Sequence, residues 1–435
     1  MKKTLRNPML FERSDTTASQ NGPLETNAGQ RPTFAARFRC IGSDCEDTCC
    51  GDWDIPLDKI TYLKYRQFPA EELRTLVSHF VIKREGMPHD SWYGSILRKQ
   101  DGACPFFGAD RLCAIQKQYG PELLSSTCSI YPRSLAVVDG VLEGSLSLSC
   151  PEAARQVLLE DDSTEQTGDL FSGQFRTDNV FGVRETKGLG AIYLQVRGLI
   201  VELIRDRTRP VWQRLLLIVD LCIRLDSLID QDLIVASDIV TRFRNSLGQR
   251  SGSEFDRTSP DIACRLELAI FLSTQRCQDP DCGTRFKDVF WDFIEAIGST
   301  TSSGADEDVY RFRNANQDHL EPLLSEAPFM LENYLLNYIY QHLFPFGRSG
   351  SNRFFPHTMS EEAILLVVRY SWMTTLLAGV AGLHGSSFGK SRLVSTVQSF
   401  TRAVEHTPYI LEEALVFVRS RGLDTLSGLT KLLRS

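Results

Sequence analysis

The chain has 435 residues, 42% of them hydrophobic and 24% charged, with a formal net charge of -7. That composition excludes a wholly disordered protein and gives length for two or three domains with cores of their own. The mildly acidic balance contains no basic block, so it offers no electrostatic reason to expect nucleic acid and suits a partner that presents lysines.

The opening stretch "MKKTLRNPMLFERSDTTASQ" has a basic beginning but no apolar run before its polar continuation, and it does not read as a secretory signal. Residues 1–33 read as a disordered tail, and the protein as cytoplasmic. Residues 34–160 carry eight of the twelve cysteines: Cys40, Cys45, Cys49, Cys50, Cys104, Cys113, Cys128 and Cys150. The text there is short and irregular, with turn signals such as "KQDGACPFFGADRLC" and "VDGVLEGS". Only a few helices are expected in it, for example around Glu71 to Phe80 and Glu152 to Leu159. A polar stretch, 161–186, reads as a linker.

From 187 to 435 the apolar residues recur with helical period. Helices are expected over Leu189 to Ile204, Val211 to Ile229, Ile262 to Thr274, Arg285 to Ile297, Phe329 to Leu343, Ser360 to Leu383, Ser391 to His406 and Tyr409 to Arg419. Pro210 opens one of them, and Ser360 with Glu361 and Glu362 opens another. Loops are expected near 248–260 and 298–307. The most apolar segment, Ala363 to Leu383, carries Arg369 in its middle, which argues for a buried helix rather than a membrane span. The fold class is therefore mainly α: an irregular cysteine-rich metal- or cluster-binding N-terminal domain packed on a helical C-terminal domain.

In a reducing compartment a concentration of thiols argues for metal or redox chemistry rather than a disulfide scaffold. Four thiolates around one centre suit either zinc or an iron–sulfur cluster. The stretch "CIGSDCEDTCC" has C-x4-C-x3-C-C spacing, close enough for neighbouring thiolates in a loop to converge. Cys49 and Cys50 are adjacent, and in extended chain adjacent side chains point to opposite sides. One of them then serves a second site, a second iron or a redox role, unless the backbone turns sharply at Gly51. Any single member of the set can equally be a small buried hydrophobe. Cys104 and Cys150 each precede a proline, as cluster ligands often do, and no two C-x2-C pairs stand at zinc-ribbon spacing. Both metals stay open, with the cluster favoured. Elsewhere, "CQDPDC" (Cys277 to Cys282) has spacing to pinch a metal but no partner pair. Cys222 and Cys264 read as core residues on helices.

Taken together, the cysteine-rich loop with "WDIPLD", then "CPFFGADRLCAIQKQYG", "STCSIYPRS" and "SCPEAAR", and far downstream "LENYLLNYIYQHLFPFG", resemble the flagellin lysine-N-methylase family. The resemblance covers about residues 36–155 and reaches the helical half mainly through 331–347. It implies an enzyme that methylates surface lysines of flagellin with S-adenosylmethionine as donor, before export. It also implies an iron–sulfur cluster, of 4Fe-4S type, held by the eight cysteines, with zinc as the lesser alternative. The wider group shows two residues between its early cysteines, where this chain has four and three. The competing class is a zinc- or iron-binding or electron-transfer module without methyl chemistry, which would have little use for so long a helical half.

Independent support for methyl transfer is thin. A lysine acceptor must lose its proton and meet the sulfonium methyl in line, in a groove that excludes water. Asp52, Trp53, Asp54 and Tyr131 lie beside the cysteines and suit such a groove, so Asp52 and Tyr131 are the candidate catalytic residues. Arg133, in "YPRS", is the candidate for cofactor binding, able to neutralise a thiolate-bound centre. His342 lies in the downstream motif. No strand followed by G-x-G-x-x-G occurs, "KGLGAIYL" reads as a helix start, and the radical C-x3-C-x2-C pattern fails because its third position is Asp52.

Overall fold

The computed structural model describes residues 31–51, 53–84, 90, 93–139, 141–161, 166–167, 180–183, 189–227, 233–248, 255, 257–298, 304–348, 358–405 and 407–434. The expected tail up to residue 30, most of the expected linker and Asp52 lie outside the described residues.

A small unit forms around the middle cysteines. Three short strands, β1 (Ile55–Leu57), β2 (Val81–Lys83) and β3 (Gly94–Ile96), pair antiparallel with β3 in the centre. Two helices connect the first pair, α1 (Lys59–Tyr65) and α2 (Glu71–Phe80). Asp58 caps α1 by accepting from the Thr61 amide at 2.8 Å. Leu73 and Val77, four apart on α2, turn inward against Leu57, Tyr65, Phe68 and Phe106, and this unit has a core of its own.

The next elements belong to a different core. Strands β4 (Arg133–Val138) and β5 (Val141–Leu146) form a hairpin whose turn puts Asp139 at φ 49°, and β6 (Val180–Gly182) joins β4 in parallel. Helix α3 (Pro151–Leu159) follows, with Cys150 at its cap and proline in its first turn. Phe34, Phe38, Leu146, Leu148, Val157 and Leu158 all pack into the large helical core. The hydrophobic cores thus divide differently from the expected 34–160 and 187–435 split, because the apolar faces of the hairpin and α3 meet helices, not the thiol-bearing unit. The text "SLAVVDGVLEGSLSL", expected only as a turn, is a hairpin on both sides of that turn. Residues within the expected linker form β6.

The remainder is helical, as expected: α4 (Tyr193–Arg205), α5 (Val211–Asp226), α6 (Leu233–Ser246), α7 (Ile262–Gln278), α8 (Thr284–Ile297), α9 (Ala305–Ala315), α10 (Phe329–His342), α11 (Met359–His384), α12 (Lys390–Glu405), α13 (Pro408–Ser420) and α14 (Leu426–Leu433). Helices α6, α9 and α14 were not among the expected ones, because their apolar faces are narrow or short, and α9 begins inside the expected 298–307 loop.

Helix α11 is the axis of this half, packed against α5, α7, α8, α9, α12, α13 and α14. Its apolar residues run all the way round, which is what a helix surrounded by helices requires. It is long and apolar enough to cross a membrane by composition, yet that window is fully buried inside the protein. Thr358 and Glu361 form a reciprocal capping box at its start. Near its other end two glycines set the spacing. A Cβ on Gly379 would lie 2.5 Å from Phe293 Cδ2, and one on Gly382 would lie 2.4 Å from Ala315 Cβ, so their bareness lets α8 and α9 approach.

Candidate functional site

The eight expected cysteines gather in one neighbourhood from five separate chain segments. Cys104 donates its amide to the Cys50 carbonyl at 2.7 Å, and a bridge between Gly51 and Ala103 continues that seam. Cys113 caps the short helix Ala114–Tyr119. Cys128 sits on the turn Ser126–Ile130, its amide held by Ser125 Oγ at 3.1 Å. The thiols of Cys49, Cys50, Cys104, Cys113 and Cys128 lie close enough for each, once ionised, to act on others of the group. Cys150 is coupled in the same way to Cys45 and Cys49, and Cys45 to Cys40, so Cys49 stands between an inner and an outer group.

Electrostatics in this neighbourhood oppose ionisation almost everywhere. Burial pushes Cys104 up to about 11 and Cys150 up to about 12, and it raises Cys45, Cys113 and Cys128 as well. Cys49 is the exception. A hydrogen bond with the Cys50 thiol, opposed by burial and aided by the Arg402 guanidinium, brings it down to about 7, while Cys50 rises for the same bond and for burial. Among the described residues no three His, Cys, Asp or Glu side chains converge tightly enough to hold one metal ion. A soft polynuclear centre spaces its thiolates more widely than a single ion does, and it supplies the positive charge that lets buried thiols ionise. In donor type and number this set fits such a centre.

Helix α12 holds the thiol-bearing segments against the helical half. Gln398, Arg402 and Glu405, spaced four and three apart, share one face of it. Arg402 donates from Nη1 to the Thr48 carbonyl at 2.7 Å and from Nη2 to the Gly51 carbonyl at 3.2 Å, bracketing Cys49 and Cys50, and it pairs with Asp47 at 2.9 Å. Gln398 donates both to Asp47 Oδ2 at 3.0 Å and to the Ser149 carbonyl beside Cys150 at 2.8 Å. On the far side of the small unit, Arg98 joins Asp54 at 3.3 Å to Asp281 at 2.8 Å.

A chain of polar groups leads from the cysteines into the helical half. Tyr131, half-buried next to Cys150, shares a hydrogen bond of 2.9 Å with Ser149 Oγ, which shares one of 2.6 Å with Ser147 Oγ. Ser147 donates to Glu405 Oε2 at 2.8 Å, and Glu405 Oε1 accepts from Gln341, which in turn accepts from Asn337 at 3.2 Å. Burial and the nearby Cys150 push the Tyr131 phenol well up, so it takes part as a neutral hydrogen-bonding group. The chain ends at a narrow cleft of about 10 Å³, lined by Tyr338, Gln341, His342, Arg369, Thr401 and Glu405. His342 stacks on Tyr338 with ring centres 4.3 Å apart.

Of the expected site residues, Tyr131 therefore joins the thiols to the cleft and His342 lines it. Arg133 stands near Cys40 and Cys150 but donates to the Phe38 carbonyl at 3.1 Å with its guanidinium over the Phe38 ring. Trp53 donates to the Cys49 carbonyl at 3.0 Å. Cys277 and Cys282 do meet, thiol to thiol, with no third metal-binding group among the described residues. The α12 face and Glu405 went unforeseen. Their signal was there, in polar residues at 398, 402 and 405 on the otherwise apolar side of an expected helix.

The cleft and the α12 face lie within a stretch with known relatives. A family described as the FliB lysine N-methylase C-terminal domain matches residues 197–432, more than half of the chain. The chain belongs to that family. A protein named lysine-N-methylase from Salmonella typhimurium is 36% identical over 162 residues, 34% of this chain and 40% of the relative. Its namesake from Salmonella choleraesuis is 35% identical over the same length and shares. A flagellar biosynthetic protein, FliU, from Salmonella muenchen is 38% identical over 133 residues, 30% of this chain and 78% of the relative. The match thus spans well under half the length of the two lysine-N-methylases. No solved structure matches.

Proposed function

We propose that the protein is a protein-lysine N-methyltransferase that modifies surface lysines of flagellin in the cytoplasm, with S-adenosylmethionine as donor and an iron–sulfur cluster held by the N-terminal cysteines. The observation that carries this reading is the family match over 197–432, which contains Tyr338, Gln341, His342, Arg369 and Glu405 of the cleft as well as Arg402 of the cysteine clamp. The name of the FliU relative supports a flagellar setting.

In the transfer, the lone pair of a neutral lysine amine forms the N–C bond as the C–S bond of the sulfonium breaks, the thioether leaves, and the amine gives up its proton. Residues of this chain supply a narrow, polar-ended cleft and a hydrogen-bonded path from it through Glu405, Ser147 and Ser149 to Tyr131. Cys49, Cys50, Cys104, Cys113 and Cys128 form the inner donor set for the cluster, with Cys40, Cys45 and Cys150 beside them. When bound, the cluster would add a covalent link among segments that already share the small unit's core.

Mass spectrometry of flagellin from cells lacking this protein tests the activity, and unchanged lysine methylation defeats it. Anaerobic purification with iron and sulfide analysis tests the cluster. Cys104→Ser is expected to lower iron and sulfide together while Cys222→Ala leaves both unchanged. A colourless protein with one zinc removes the cluster from the reading.

A further inference from the structure

Buried arginines in the helical half are answered by neighbouring groups, with one exception. Arg197 meets Glu143, Arg214 meets Glu332, Arg265 meets Thr374 and Thr375, and Arg276 meets the carbonyls of Ala403 and Asp281. Arg369, in the middle of α11, is 7% exposed and makes no hydrogen bond or ion pair among the described residues. Its Nε is buried without a partner, and its guanidinium lies over the Tyr338 ring at 5.4 Å from the centre. A buried guanidinium without a hydrogen-bond acceptor is costly, and a ligand carboxylate relieves that cost.

Arg369 lines the cleft described above, and the ligand chemistry follows from its company. A carboxylate meets a guanidinium through two parallel hydrogen bonds. Glu405, of opposite sign, lines the same cleft and so disfavours a phosphate-like dianion while accepting an ammonium. Paired opposite charges of this kind suit a zwitterion. The cleft has room for water-sized groups only, so a ligand enters it with a small charged end and keeps its bulk outside.

We infer that this cleft binds the α-amino-acid end of a small molecule, its carboxylate on Arg369 and its ammonium on Glu405. The assignment rests on the methyltransferase reading to the extent that the ligand is then the methionine end of the methyl donor.

Equilibrium dialysis on the full chain, purified anaerobically, tests it with three probes: S-adenosylhomocysteine, 5′-methylthioadenosine, which lacks the amino-acid end, and free L-methionine. The expected result is that S-adenosylhomocysteine binds at least about tenfold more tightly than 5′-methylthioadenosine. Arg369→Gln then weakens S-adenosylhomocysteine by about tenfold or more and leaves 5′-methylthioadenosine unchanged. Thr401→Trp, which fills the cleft and keeps Arg369, is expected to give the same loss, so the outcome does not depend on one variant folding. Ligand-free Arg369→Met is expected to melt above wild type, whereas an arginine kept only for structure would melt lower on removal. If S-adenosylhomocysteine binds wild type and Arg369→Gln alike, the donor reading stands and this assignment falls. If only L-methionine binds, and does so through Arg369, the donor reading falls and this assignment stands. Arg369-independent behaviour of every probe overturns it.

Discussion

Replacing Arg402 with methionine keeps the aliphatic stem on α12 and removes the guanidinium contacts that bracket Cys49 and Cys50. Two bonds from the guanidinium to the Thr48 and Gly51 carbonyls, at 2.7 and 3.2 Å, are lost, together with the Asp47 pair at 2.9 Å. The side chains of Arg402 and Asp47 are 18% and 13% exposed, so solvent compensates the loss only in part. Hydrogen bonds to charged groups contribute about 1.5–3 kcal/mol each, and Gln398 still holds Asp47, so a net loss of about 2–3 kcal/mol in the closure of this loop is expected. At 1.36 kcal/mol per decade that is about 30- to 150-fold more frequent local opening. Hydrogen exchange followed by mass spectrometry reads this directly in the peptides that contain the Cys50 and Cys104 amides, which are bonded to Thr48 Oγ1 and to the Cys50 carbonyl. Arg392→Met, an exposed position on the same helix, is the control and is expected to leave exchange unchanged. Exchange at Cys50 and Cys104 within twofold of wild type in Arg402→Met would refute the clamp, and with it the idea that the helical half organises the thiol segments.

Other expectations concern how the halves are joined. Asn337 serves both the amide and the carbonyl of Leu146, so Asn337→Leu strands two buried backbone groups and is expected to destabilise by about 2–4 kcal/mol, read from chemical denaturation. Glu143 and Arg197 form a two-bond ion pair with side chains 6% and 5% exposed, and Arg197→Met, which leaves Glu143 buried alone, is expected to cost about 3–5 kcal/mol. Two glycines should respond in opposite directions. Gly379→Ala drives a Cβ into Phe293 and is expected to cost about 1–3 kcal/mol, while Gly198→Ala on α4 meets nothing within 4 Å and is expected to stabilise by about 0.5–1 kcal/mol, both seen as shifts in melting temperature.

Much of this protein follows from local sequence. The period of the apolar residues after 187 suffices for most of the helices, since a helix buries a stripe every three or four residues whatever its neighbours are. The all-round apolar run of α11 marks it as the central helix, and the density of thiols between 40 and 150 marks the stretch whose cysteines the fold gathers into one neighbourhood. What pairing and packing decide lay beyond that. The hairpin at 133–146 takes its identity from the register of two strands across a turn, and its membership of the helical core depends on Asn337 and α3, nearly two hundred residues away in the first case. The cleft combines Arg369 of α11, Glu405 of α12, and Tyr338 and His342 of α10. No window of sequence contains such a site. That Arg369 lacks a hydrogen-bond acceptor among the described residues while Arg197, Arg214, Arg265 and Arg276 have them is likewise settled by where distant side chains come to rest, for a buried charge is satisfied or not only in three dimensions.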